Sequence, residues 1–105
     1  MENKIIDFDD VVRTGVRVGG IHYSIKVVDE MAGDTIGATN YEKNLITLKR
    51  CELQRMQETL LHELTHIIFF HSGYDEQDER MVSSIASWLY SSLKQNKETF
   101  KVILE

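Results

Sequence analysis

Between about Glu52 and Phe70 the chain carries no glycine, and Leu53, Met56, Leu60, Leu64 and Ile67 or Ile68 recur at helical spacing. That period predicts an amphipathic helix with one apolar stripe. His71-Ser72-Gly73-Tyr74 closes it, Gly73 being suited to the left-handed conformation that ends many helices. A second helix is expected after the acidic run Asp75-Glu76-Gln77-Asp78-Glu79, whose charges favour a helix N-terminus. Val82, Ile85, Ala86, Leu89 and Leu93 mark its buried stripe, and it should fade near Asn96.

Upstream the pattern changes. Val16-Arg17-Val18, Gly19-Gly20 and Ile21 to Val28 read as a hairpin, with Ile21, Tyr23, Ile25 and Val27 alternating against His22, Ser24 and Lys26. Asp29 to Asp34 has turn composition. Thr35 to Thr39, a turn through Asn40–Asn44, and Leu45-Ile46-Thr47-Leu48 read as a second hairpin, its last strand packed beneath a helix. Lys4 to Asp10 fits a short helix or a lead-in strand equally, and Phe100 to Leu104 a terminal strand or a docked tail. Strands first and helices second predict an α+β fold: a small antiparallel sheet of N-terminal hairpins packed against two or three helices, in a single domain spanning 1–105.

Composition narrows the function classes. A net charge of -5 argues against a broad electrostatic grip on nucleic acid or an anionic membrane. The one cysteine, Cys51, excludes an intramolecular disulfide framework and a Cys-rich zinc knuckle, and reads as a free thiol. No apolar run approaches the ~20 residues of a membrane span, and Met1-Glu2-Asn3-Lys4 does not read as a secretory signal, so a cytoplasmic protein is expected.

The chemistry is concentrated in His62-Glu63-Leu64-Thr65-His66. Residues i and i+4 of a helix lie one turn apart on one face, so the two imidazoles can converge on one zinc ion. Glu63, beside the first ligand, can act as general base toward a water that the metal acidifies. The bland alternative is an amphipathic helix whose exposed face happens to carry two histidines. The apolar stripe Leu60, Leu64, Ile67 faces away from them on either reading.

A catalytic zinc takes three protein ligands and leaves a fourth position open. The metzincin spacing is absent, since Phe69 stands where glycine is needed and Ser72 where histidine is needed. His71 lies nearly half a turn round the helix from His66 and could bind only if the helix broke first. The remaining candidates are Asp75, Glu76, Asp78 and Glu79. Of these Glu79 is the best placed, just beyond the buried stripe of the second helix and able to lean toward the first.

These residues carry a family resemblance. Glu58 to His66, then Ser72-Gly73, then Glu79-Arg80-Met81-Val82 with Ile85 to Tyr90, resembles small gluzincin-like zinc metallopeptidases (minigluzincins), most of all the short ImmA/IrrE-like proteins of phages and bacteria. The likeness extends to Gly19-Gly20-Ile21-His22-Tyr23 and Leu45 to Leu48. It implies His62, His66 and Glu79 as zinc ligands and Glu63 as general base. It also assigns the upper edge of the cleft to Leu45–Leu48 and a host-cell cytoplasm as the setting of a phage-borne protein. After Glu79 the chain departs from longer members, which have Glu-Ala-Asn-like residues where Met81, Val82 and Ser83 stand here.

Two classes of function follow. One is a zinc-dependent peptidase that hydrolyses a peptide bond in a protein substrate, held by main-chain hydrogen bonds at a strand edge. The other is a zinc-stabilised binding module without turnover, in which a side chain such as His71 or Asp75 closes the fourth position. His71, Tyr74 and Tyr90 are unranked as donors to an oxyanion. Phe69, Phe70, Trp88 and Tyr90 are explained by core packing or a cleft wall, and His22 by a surface position.

Overall fold

The computed structural model describes residues 6–105. Of the ambiguous opening segment, Lys4 and Ile5 lie outside that range, and the remainder leads into helix α1 (Phe8–Thr14). The Asp7 side chain accepts from the Asp10 backbone N–H and the Asp10 side chain from the Asp7 N–H, a reciprocal cap that satisfies donors the first turn leaves open. The Asp7 N–H, and after it the Arg13 guanidinium, hold the Asp10 carboxyl below the usual carboxylate range.

Strands β1 (Val16–Val18) and β2 (Ile21–Val28) form the first hairpin, and β3 (Gly37–Asn40) and β4 (Leu45–Lys49) the second. The fold is α+β, and its four-stranded sheet has the order β1-β2-β4-β3. Both hairpins are antiparallel, but they join through a parallel pair, β2 with β4, from Ser24↔Leu45 to Val28↔Lys49. The sheet is therefore mixed, not antiparallel as the two hairpins alone predict. After β2 the chain crosses to the far edge, runs down β3, and returns as β4 into the gap. The parallel register sets Ile25 beside Ile46 and Val27 beside Leu48, which keeps the apolar phases of both strands on one face.

That face carries the core. Tyr23, Ile25, Ile46 and Leu48 are buried against Leu60 and Ile67 of helix α2 (Leu53–His71), while His22, Ser24 and Lys26 point to solvent. Each such apolar side chain contributes about 1.5–3 kcal/mol relative to exposure. Helix α3 (Glu79–Gln95) packs along α2, burying Val82 and Ala86. Ile85 and Leu89, expected in the same stripe, stay partly exposed, because an outer helix covers a narrower face than one sandwiched against a sheet. Trp88 is 75% exposed, so neither core packing nor a cleft wall accounts for it.

The tail is neither strand nor docked coil. Asn96 leaves helical geometry at φ −130°, and Phe100 N–H then bonds back to its carbonyl to start helix α4 (Lys97–Ile103). Lys97, Glu98 and Lys101 are good helix formers, and they outweigh the short β-like run that follows. No helix among the described residues is long and apolar enough to cross a membrane.

Candidate metal centre

Helix α2 presents His62 and His66 one turn apart, with ring centroids 4.8 Å and Nε2 atoms 3.1 Å from each other. The chain then reverses: Ser72 caps the helix, Gly73 takes φ +94°, and Tyr74 N–H bonds the Phe69 carbonyl. Asp78 starts α3 by accepting from the Arg80 and Met81 N–H groups, which makes Glu79 the first helical residue. From there the Glu79 carboxylate reaches across, Oε1 lying 2.7 Å from His62 Nε2 and Oε2 2.9 Å from His66 Nε2.

His62, His66 and Glu79 thus bring two imidazole nitrogens and a carboxylate to one point, a group that can hold a metal ion. The histidines are half-buried and Glu79 is exposed, so the point opens to solvent. Among the described residues it is the one such group. Of the other carboxylates weighed from the sequence, Asp78 is occupied as the helix cap, and Asp75 and Glu76 stay outside the group. His71 is directed elsewhere, its Nε2 lying 2.7 Å from the Tyr23 hydroxyl on the sheet side of α2.

Glu63 sits deeper. Only 6% exposed, it accepts a 2.8 Å hydrogen bond from Thr39 Oγ1 at its Oε1. Strand β3 passes close over α2 here: a Cβ on Gly37 would lie 2.5 Å from Thr59 Cγ2 and 3.4 Å from Glu63 Oε2. Glu63, His62 and Glu79 all line a cleft of about 1000 Å³ that runs between β3, α2 and α3.

The strand over the site differs from the expected one. Leu45–Leu48 belongs to β4, which is interior between β2 and β3, so it cannot form the rim; β3 is the edge. The strand before the motif helix is drawn inward because it pairs on both sides. Ile36 accepts from Lys49 N–H at 2.9 Å, and antiparallel pairs alternate between bonded and non-bonded. Gly37 and Thr39 therefore turn their main-chain N–H and C=O groups away from β4, toward the open edge.

Of the oxyanion donors considered from sequence, Tyr90 lines the cleft and donates to Gln57 Oε1 at 3.2 Å. Tyr74 packs edge-on against Phe69, and His71 is paired with Tyr23 as described. Four residues at the site were missed by sequence reasoning. Gly37 and Thr39 come from β3, Tyr41 from the β3–β4 turn, and Gln77 from the α2–α3 turn. An aromatic residue in a polar turn was the available hint for Tyr41, which stacks on Phe70 at 4.1 Å. Burial pushes the Tyr41 hydroxyl above its ordinary pKa, the nearby Glu63 charge adds to that, and the polar Gln77 side chain opposes it. Comparison of the chain with family models, curated proteins and solved structures returns no match.

Proposed function

We propose that the chain is a gluzincin-like zinc metallopeptidase that hydrolyses a peptide bond in an extended protein or peptide segment, with His62, His66 and Glu79 as zinc ligands and Glu63 as general base. Zinc is favoured by the donor chemistry. Two imidazoles and a carboxylate are a donor set that zinc takes in a tetrahedral site, and one ligand atom from each of the three residues lies within 4.8 Å of the others. Zinc, when bound, acidifies a coordinated water and polarises a carbonyl.

The chain's own residues do the rest. The outward main-chain groups of Gly37 and Thr39 pair with an extended segment laid along the β3 edge. The Thr39 bond holds Glu63 by Oε1, leaving Oε2 to take a proton from the attacking water and hand it to the leaving amide nitrogen. A C–O bond forms as the C–N bond breaks, and the water's protons end on the new amine and acid.

The observation that carries this reading is the buried carboxylate of Glu63, the residue after His62, which lines the same cleft as His62 and Glu79. A site that only braces a fold has no use for such a base. The rival binding module needs a fourth protein donor; of the two considered for it, His71 is held by Tyr23 and Asp75 lies outside the group. The test is Glu63→Gln: the variant should keep about one zinc per chain and lose hydrolysis of a quenched-fluorescent peptide pool. Turnover equal to the parent rejects Glu63 as the base.

A further inference from the structure

The His66 ring is gripped on the side opposite its metal-facing nitrogen. Its Nδ1 lies 2.7 Å from Gln77 Oε1, and an amide oxygen can only accept a hydrogen bond. The orientation of the amide follows from its other end, where Gln77 Nε2 donates to the carbonyls of His66, at 3.2 Å, and Tyr74, at 3.3 Å. The proton of the neutral ring is therefore drawn to Nδ1, and the Nε2 lone pair is left facing His62 and Glu79. Gln77 stands two residues before Glu79 in the same turn. One short segment thus supplies a ligand from α3 and orients a ligand on α2.

We propose that Gln77 is the positioning residue for His66, fixing its tautomer and ring angle so that metal affinity depends on an amide outside the ligand set; this rests on the metal-site reading above. The amide does two separable things. Its oxygen holds the imidazole, and its nitrogen ties the turn to two main-chain carbonyls. Only the first is a metal-site role. Gln77→Met keeps the side-chain length and removes both. Gln77→Glu keeps the acceptor and removes the donor, setting a carboxylate against the two carbonyls.

The experiment is a zinc titration of the full chain and both variants against a chromophoric chelator. Gln77→Met should bind zinc about 10–100-fold more weakly than the parent, the usual loss when the outer partner of a metal-bound histidine is removed. Gln77→Glu should bind within about threefold of the parent or more tightly, because the carboxylate still accepts from Nδ1. Parental affinity in Gln77→Met overturns the proposal. So does an affinity for Gln77→Glu as low as that of Gln77→Met, since the turn and not the ring would then be what matters. If Gln77→Met fails to fold, Gln77→Glu decides alone, a loss of tenfold or more counting against the proposal. A parent chain that takes up no zinc removes the metal reading itself, an outcome distinct from any that concerns Gln77 alone.

Discussion

Thr39 Oγ1 donates a 2.8 Å hydrogen bond to Glu63 Oε1, tying the edge strand β3 to the helix that carries both His62 and His66. Glu63 is buried, and a hydrogen bond to a charged buried group is worth about 1.5–3 kcal/mol. Thr39→Val is expected to lower unfolding stability by about that amount, measured in urea without metal. In a Glu63→Gln background the loss should shrink, because a neutral amide gains less from the donor. Equal losses in the two backgrounds would show that the bond is not what Thr39 supplies.

Gly37 is expected to be intolerant of even one methyl group. A Cβ there meets Thr59 Cγ2 at 2.5 Å, and Thr59 cannot swing away freely because its hydroxyl donates to the Arg55 carbonyl at 2.7 Å. Overpacking of this kind costs about 1–3 kcal/mol. Thr59→Ser removes the obstructing methyl and keeps the hydroxyl, so Gly37→Ala should cost less than about 1 kcal/mol in that background. Thermal unfolding of the four proteins measures it; a Gly37→Ala penalty that Thr59→Ser leaves unchanged would place the clash elsewhere.

The helical motif was legible in the sequence because its geometry is local. His62 and His66 are four residues apart on one helix, and their convergence needs nothing but the helix. Glu79 was legible at one remove, from its place at the start of the next helix. The parallel pairing of β2 with β4 was not, since alternation shows which residues share a face but not which strand lies beside which. That single long-range fact moved Leu45–Leu48 from the cleft edge to the sheet interior and gave the edge to Gly37–Asn40. Thr39, Tyr41 and Gln77 escaped for the same reason. Each is an ordinary polar or turn residue until the fold sets it against Glu63 or His66. Phe100 to Leu104 misled differently, being too short for a period to separate strand from helix.

Two tyrosines give the chain a defined alkaline response. Burial pushes the Tyr23 hydroxyl above its ordinary value of 10.0, and burial followed by the Glu63 charge does the same for Tyr41. A raised folded pKa favours the neutral phenol in the native state. The stability this provides is complete below pH 10 and lost as pH rises through the folded values. Phenolate absorbance in the native protein should therefore include a component whose midpoint lies above pH 10, and the double variant Tyr23→Phe, Tyr41→Phe should lack that component. Glu63→Gln should bring Tyr41 back part of the way. Half-ionisation of both hydroxyls at or below pH 10 in folded protein would contradict the burial assigned to them.

On the proposed reading, one metal ion sits where His62, His66 and Glu79 meet. Anomalous diffraction at the zinc edge, from crystals grown with zinc, tests it most directly. A single strong peak per chain is expected within bonding distance of both Nε2 atoms and the Glu79 carboxylate, and it should vanish in His62→Ala. A parent map without a peak between those imidazoles, or a peak that survives His62→Ala at full height, would contradict it.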